Sequence, residues 1–167
     1  SCNGISQKTN EIFEANYDFA KTKSAYVWKT IVDPFLGKYS LIKVASGVIK
    51  SDDTLLNVER GEEERLNKLY VLEGSKPLEV PELHAGDIGA IAKLASVQTG
   101  DSLAAKASPV LYPKAVISTP YTYKRYKAVK KGDEDKIAQA LAKMASEDKT
   151  LRVVNDSANR QTLLYGM

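Results

Sequence analysis

Residues 25–50 read AYVWKTIVDPFLGKYSLIKVASGVIK. They contain two runs rich in β-branched and aromatic residues, Ala25–Ile31 and Tyr39–Lys50, which is typical of neighbouring strands. Asp33-Pro34 lies between the runs and breaks regular structure there. Gly47 interrupts the second run, where a bulge or barrel corner would suit a residue without Cβ. We therefore predict two strands separated by a turn, with a bend in the second.

The same pattern of short strands continues to about residue 105. Ser51-Asp52-Asp53 predicts a turn, because Asx side chains can bond their own backbone. The acidic stretch Glu62–Glu64 is interpreted as a solvated turn. Further strands are predicted at Thr54–Val58, Arg65–Leu72, Leu78–Val80 and Ile88–Leu94. Short strands with turn signals roughly every 8–12 residues indicate a closed barrel or a sandwich.

The pattern changes after Pro109, which together with Pro113 brackets a predicted linker. Ala115–Lys127 is predicted to be a strand that Pro120 either breaks or confines to a sheet edge. A helix is predicted at Gly132–Ser146. Three acidic residues in its first turn complement the helix dipole, and an apolar stripe recurs at helical spacing along Ile137, Leu141 and Met144.

Two more strands, Leu151–Asn155 and Gln161–Tyr165, are predicted to be joined by a polar turn at Asp156–Asn159. The order β-α-β-β corresponds to the first three-quarters of a split βαβ sandwich. The sequence thus predicts a mainly β chain of two units: an antiparallel barrel, then a truncated ferredoxin-like α+β unit.

Charge is distributed unevenly between these two parts. Residues 1–112 hold 13 Lys/Arg against 15 Asp/Glu, whereas residues 113–167 hold 11 against 6. A basic second part indicates a polyanionic partner, of which nucleic acid is the commonest, or else a solvated basic face. No apolar run approaches the roughly 18 residues of a membrane span, so no membrane partner is expected. A single cysteine in 167 residues favours a reducing, cytoplasmic location.

Catalytic and nucleotide-binding signals are missing from the sequence. His84 is the sole histidine, and Cys2 lies in a terminus expected to be frayed, with no basic neighbour in sequence. Lys23-Ser24 ends like a P-loop but lacks the glycines before it. Asn67–Tyr70 begins like a guanine-recognition loop but ends in tyrosine where an acidic residue is needed. We expect no catalytic, nucleotide-binding or metal site here, and no cofactor.

Several stretches, in order, resemble the elongation factor G family. The family's apolar-Lys-Thr strand and Asp-Pro-Phe-x-Gly-Lys turn are similar to VWKTIVDPFLGK, and its Ser-Gly-x-Leu/Ile-Lys strand is similar to SGVIK. Its Ala-Gly-Asp-Ile and Thr-Gly-Asp-Thr-Leu segments are similar to AGDI and TGDSL. The helix and hairpin of its third domain resemble KIAQALAKMASEDKTL and RQTLLYGM. These matches span Val27–Ser40, Val44–Thr54, Val80–Ala90, Thr99–Leu103, Lys136–Leu151 and Arg160–Met167.

The resemblance implies a translation-factor-type barrel at residues 25–110, a linker at 111–114 and an incomplete third domain at 115–167. Residues 1–24 would connect to a GTPase domain expected before residue 1, which would hold the GTP and Mg²⁺. In the family, GTP hydrolysis drives movement of tRNA and mRNA. The barrel docks on small-subunit ribosomal RNA, and the third domain lies near a small-subunit protein. The implied partners are therefore the ribosome and the missing GTPase domain.

Eight residues are candidates for RNA contacts. Lysines at a strand end can contact phosphates, and basic residues interleaved with tyrosines can both pair with phosphates and stack on bases. The alternative for each lysine or arginine is a solvated cation without a partner, and the alternative for each tyrosine is a ring packed under the helix. Trp28 and Phe35 are expected in the barrel core or as turn anchors. The candidates are Lys29, Lys38, Lys43, Tyr123, Lys124, Arg125, Tyr126 and Lys127.

Two other functions remain open at this point. The segment Tyr121–Lys131 is more basic and aromatic than the usual family strand, which leans toward a divergent branch near the tetracycline-resistance ribosomal protection proteins. Such a protein removes a drug from the ribosome rather than moving tRNA. The remaining hypothesis is an unrelated barrel that binds other proteins, or a cryptic enzyme.

Overall fold

The computed structural model describes residues 2–33, 37–74, 76–130, 132–156, 158–159 and 161–167. The chain divides into two compact units, Ser1–Lys114 and Ala115–Met167. Phe35 and most of the predicted turn around it lie outside the described residues.

The first unit is built from short strands, as the alternation of turn residues and β-formers predicts. Its strands are β1 (Asn3–Ser6), β2 (Ile12–Glu14), β3 (Ser24–Asp33), β4 (Gly37–Ser46), β5 (Val48–Lys50), β6 (Thr54–Asn57), β7 (Glu62–Arg65), β8 (Leu69–Glu73), β9 (Lys76–Val80), β10 (Glu82–His84), β11 (Ile88–Ala92), β12 (Ser102–Ala104) and β13 (Val110–Leu111).

Eight of these strands form one antiparallel sheet in the order β7-β6-β12-β3-β4-β11-β8-β9, and β10 pairs with β5. The sheet wraps around one core, because strands from its middle and from both of its halves all contribute buried side chains to the same cluster. Val27, Ile42, Leu55, Leu69 and Leu103 are fully buried members of that cluster. The predicted antiparallel barrel is confirmed.

A β-bulge in β3 changes which side chains face the core. The register between β3 and β4 shifts between Val27 and Lys29, so one extra residue stands opposite the partner strand. Trp28 is 43% exposed, whereas Val27 and Thr30 are buried. Of the two places expected for Trp28, the barrel core or a turn anchor, the core is therefore wrong, because strict alternation does not hold across a bulge.

The acidic stretch Glu62–Glu64 is also different from the prediction. It belongs to β7, which pairs antiparallel with β6, rather than to a solvated turn. Glu64 is buried, and its carboxylate accepts hydrogen bonds from the backbone N–H of Ser96 (2.7 Å) and from its hydroxyl (2.6 Å). A carboxylate that receives such bonds can lie on the inward side of an edge strand.

The first residues of the chain are folded onto the unit. β1 pairs with β2 and with β13, which makes a three-stranded sheet in the order β13-β1-β2. Residues 1–24 thus carry two strands, although a connector was expected there. Leu111 likewise belongs to a strand, and Tyr112 is 3% exposed, inside the expected linker. Residues 113–119 are exposed and lie outside helices and strands.

A second buried cluster joins this small sheet to the barrel, and Cys2 packs against it rather than fraying. Burial raises the pKa of the Cys2 thiol, while the positive charges of Lys43 and the chain terminus act in the opposite direction. Burial also raises the pKa of Tyr112 to about 12, although its hydrogen bond to the Ser24 hydroxyl (2.7 Å) opposes the shift.

The second unit comprises β14 (Thr122–Tyr126), α1 (Glu134–Glu147), β15 (Arg152–Asp156) and β16 (Gln161–Gly166). Its sheet has the order β14-β16-β15, with β16 antiparallel to both neighbours. β14 and β15 therefore run parallel with α1 connecting them, which is the predicted split β-α-β arrangement. The predicted strand from Ala115 is shorter, since it begins two residues after Pro120.

The apolar stripe of α1 is only partly covered. Ile137 and Leu141 are half-buried, but Met144 is 49% exposed although it continues the predicted stripe. The half-buried Ala145 lies next to it. The polar turn between β15 and β16 is confirmed, because Asp156 accepts a hydrogen bond from the Asn159 backbone N–H at 3.1 Å.

Candidate RNA-binding surfaces

The barrel candidates Lys29, Lys38 and Lys43 lie on the paired strands β3 and β4. Lys29 stands opposite Leu41 in the register, directly after the bulge, and is exposed. Its side chain has no hydrogen bond or ion pair to another residue that the structure describes. Its ammonium group is therefore available to an external anion.

Lys38 has a structural role. Its Nζ donates a hydrogen bond to the Val97 carbonyl at 2.7 Å, and its own carbonyl accepts one from the Lys93 N–H at 3.1 Å. Both contacts tie the β4 start to the segment between β11 and β12. Lys93, an exposed cation that the sequence analysis did not select, is brought next to Lys38 by this contact.

Lys43 is half-buried, and its Nζ lies 5.1 Å from the centre of the Tyr17 ring. This is a cation–π contact, which holds the lysine side chain over the ring but leaves its charge unneutralised. Tyr17 has a left-handed backbone conformation (φ 54°). Lys43 thus presents a positioned charge on β4, opposite Ile88 in the register.

Replacing Lys38 with alanine is expected to lower the free energy of unfolding by about 1–3 kcal/mol, because the Val97 carbonyl loses a charged donor in a partly buried place. Replacing the exposed Lys29 with alanine is the matched control and should stay within about 0.5 kcal/mol of wild type. Urea unfolding followed by circular dichroism measures both. Equal stability of the two variants would contradict a structural role for Lys38.

Four of the candidates for RNA contacts in the second unit lie on strand β14, whose alternating side chains place them on two different faces of the sheet. Tyr123 and Arg125 alternate with Lys124 and Tyr126, so the two pairs lie on opposite faces of the sheet. Lys127 follows the strand. Tyr123, Lys124, Arg125 and Lys127 are exposed.

A cleft of about 590 Å³ lies between the end of β14 and the start of α1. Tyr126, Arg125 and Lys127 line it, but so do Glu134 and Asp135. The mixture of charges makes the cleft a poor site for an anion alone. It is therefore not the place where a phosphate backbone would be expected.

Two residues that the sequence analysis did not select complete the face that carries Tyr123. Tyr165 stands directly opposite Tyr123 in the register, and Arg152 stands directly opposite Tyr165. They come from two other strands, and periodicity within one strand carries no information about such neighbours.

Metal-binding clusters and membrane-spanning helices are absent from the part of the chain that the structure describes. Its residues hold no group of three or more His, Cys, Asp or Glu side chains placed to bind a metal ion. The His84 side chain is 45% exposed, and its Nε2 lies 3.2 Å from Glu82 Oε1. Within the described ranges, no helix is both long and apolar enough to cross a membrane.

Comparison with known proteins gives matches over both units. The family model for elongation factor G domain 2 matches residues 22–106, and that for elongation factor G domain III matches residues 117–167. The crystal structure of a Thermus thermophilus protein labelled ttk003000868 is similar, with a TM-score of 0.75 and 28% sequence identity. That similarity covers 87% of this chain and 22% of the other, so this chain spans about a fifth of that relative's length.

Proposed function

The chain belongs to the elongation factor G family of translation factors, and we propose that it is the ribosome-binding middle part of a GTPase that promotes movement of tRNA and mRNA. The observation that carries the proposal is the match of domain 2 and then domain III, in that order, across the two units. Neither matched domain is a GTPase domain. In this proposal GTP and Mg²⁺ bind elsewhere in the parent protein, which acts in the cytoplasm.

The barrel supports a contact with the phosphate backbone of small-subunit ribosomal RNA. Lys29 and Lys43 lie on adjacent strands of a rigid sheet, and neither is neutralised by a carboxylate within the described part of the chain. Phosphate contacts fix the position of a protein on RNA without reading its sequence. Two unneutralised lysines on paired strands can make such phosphate contacts, whereas the Lys38 ammonium group already donates a hydrogen bond to the Val97 carbonyl.

The salt dependence of binding to small-subunit RNA tests this contact. Each phosphate contact contributes a slope of roughly −0.7 to −0.9 in log K against log salt, so three or four contacts weaken binding roughly tenfold to a hundredfold between about 50 and 200 mM salt. Replacing both Lys29 and Lys43 with alanine is expected to flatten the slope by up to about two units.

The matched control replaces Lys8 and Lys76, two exposed lysines elsewhere on the same unit, with alanine. It makes the same change in net charge and should leave the slope closer to wild type. If both double variants change the slope equally, the barrel contact is not at Lys29 and Lys43. If wild type does not bind small-subunit RNA at any salt concentration, the proposed function is contradicted.

A further inference from the structure

The second unit carries an aromatic face, which we define as the side of its sheet formed by Tyr123, Arg125, Arg152, Leu163 and Tyr165. The register places these residues in two adjacent rows across the three strands. The first row is Tyr123, Tyr165 and Arg152, and the second contains Arg125 and Leu163. Because opposite residues point to the same side of a sheet, the two tyrosines share one surface.

The two rings are close enough to act together. Their centroids are 5.2 Å apart and their planes are tilted by 36°. Tyr123 is 59% exposed and Tyr165 is half-buried, while Leu163 beside them is 8% exposed and supports the row. Tyr121, two residues before Tyr123, is 80% exposed. Rings held on strands lose little conformational freedom when a flat ligand stacks on them.

Positive charge borders the ring pair. Arg125 and Arg152 are both exposed, and neither side chain has an ion pair or hydrogen bond to another residue that the structure describes. The row of Tyr123, Tyr165 and Arg152 contains no acidic residue. Uncompensated guanidinium groups beside exposed rings favour an anionic ligand that has flat groups of its own.

The helix of the unit lies on the other side of the sheet. Tyr126, Asn155 and Thr162 belong to the opposite face by alternation, and they line the cleft together with Ile137 and Ala138 of α1. Arg125, next to Tyr126 at the end of β14, also lines that cleft. Tyr123, Tyr165 and Arg152, the first row of the aromatic face, do not line this cleft with α1. A sheet with helix on one side and exposed rings on neighbouring strands of the other can bind unpaired bases by stacking.

We propose that the aromatic face binds unpaired nucleotides of ribosomal RNA, with bases stacked on Tyr123 and Tyr165 and phosphates paired with Arg125 and Arg152. The proposal rests on the proposed function for the source of the RNA. Paired nucleotides are excluded, because their bases are already stacked within the duplex. The contact is separate from Lys29 and Lys43, which lie in the other unit.

Fluorescence anisotropy with the whole chain tests the proposal. The probes are a labelled oligouridine of about eight nucleotides, within the range of known single-strand site sizes, and a hairpin duplex of equal charge. Wild type is expected to bind the single strand more tightly than the duplex. Tyr123→Leu and Tyr165→Leu should each weaken single-strand binding by roughly five- to a hundredfold, because stacking on one base is lost.

Two controls separate stacking from bulk charge and from misfolding. Tyr123→Phe keeps the ring and should bind within about twofold of wild type, since stacking does not need the hydroxyl. Arg125→Ala should weaken binding more than Lys124→Ala, which removes one exposed charge from the opposite face of the same strand. Thermal unfolding of each variant shows whether the sheet is intact. Because Tyr123 is more exposed than Tyr165, substitutions of Tyr123 should disturb the sheet less than Tyr165→Leu.

Equal affinity for duplex and single strand, or equal losses for Arg125→Ala and Lys124→Ala, would overturn the aromatic face as a binding site. Single-strand binding that survives Tyr123→Leu in a folded chain would overturn it as well. If the Tyr123→Leu variant still binds ribosomal subunits, the proposed ribosome-binding function stands even though the aromatic face is not a binding site. That role fails only if wild type does not bind the small subunit, so the two failures are distinguishable.

Discussion

Replacing Asp101 with alanine is expected to lower the free energy of unfolding of the first unit by about 2–3 kcal/mol, the upper part of the range for leaving a buried hydrogen-bonding group without its partner. Asp101 is 2% exposed, and its Oδ2 accepts three hydrogen bonds. The donors are Asn57 Nδ2 (2.9 Å), Arg60 Nε (3.2 Å) and the backbone N–H of Gln98 (2.9 Å).

Alanine would leave the Asn57 amide without its acceptor in a place that water does not reach, whereas the Arg60 side chain is 37% exposed and can be solvated. Asn57 is fully buried, and its Oδ1 already has no hydrogen-bond partner among the residues that the structure describes. Without Asp101 the amide would also lose the acceptor of its Nδ2. An unsatisfied buried donor loses its solvation without compensation. The effect therefore exceeds that of an ordinary surface ion pair.

Urea unfolding of the whole chain, followed by circular dichroism, measures the change. Glu79→Ala is the control, since that carboxylate also pairs with a cation, Lys68, but its side chain is 54% exposed. The control should stay near wild-type stability, because exposed ion pairs contribute little. Similar losses in the two variants would show that the Asp101 network does not stabilise the barrel.

Gly47→Ala is expected to be the most damaging glycine substitution of the first unit, at about 2–5 kcal/mol. Gly47 has φ +72° and lies between β4 and β5. A Cβ there would lie 2.7 Å from Lys23 Cα and 2.9 Å from the Lys21 carbonyl oxygen. These atoms belong to the backbone, so the clash cannot be relieved by turning a side chain.

Two costs contribute to the expected loss of stability of the Gly47→Ala variant. A left-handed backbone costs a residue with a Cβ about 1–2 kcal/mol, and overpacking typically adds about 1–3 kcal/mol. Gly61→Ala isolates the first cost, because Gly61 has φ +71° but nothing within 4 Å of the added Cβ. Thermal or urea unfolding of both variants measures the difference. A Gly47→Ala chain as stable as the Gly61→Ala chain would contradict the close packing at this corner.

Gly47 also shows what local sequence can predict. A glycine inside a long run of β-formers indicated a bend, and the structure ends β4 and begins β5 on either side of it. The two strands that flank Asp33-Pro34 and the β-α-β-β order of the second unit were likewise predicted from periodicity and turn residues. These features depend on neighbours in sequence.

The errors have a different origin. Trp28 was expected in the core or as a turn anchor, but the strand carries a bulge at this position, which a sequence pattern does not reveal. Glu62–Glu64 was taken for a turn because acidic side chains are usually solvated, yet Glu64 finds its donors on Ser96, more than thirty residues away. Long-range partners override local preference in both places.

For the candidate RNA-binding residues too, local sequence indicated some features, and others depend on partners distant in sequence. Composition alone singled out Tyr123 and Arg125, but it treated Lys124 and Tyr126 as equivalent to them. Only the register shows which of these four share a face with Tyr165 and Arg152. In the barrel, Lys38 bonds to Val97, a residue distant in sequence, so no local pattern indicates that this lysine serves the fold.

The central claim is that the chain is a ribosome-binding part of an elongation factor G-type protein. Co-sedimentation of the whole chain with purified small and large ribosomal subunits at low salt tests it most directly. We expect saturable binding to the small subunit that weakens steeply as salt is raised. Replacing both Lys29 and Lys43 with alanine should reduce this binding. Equal binding to both subunits, or none to the small subunit, would contradict the central claim.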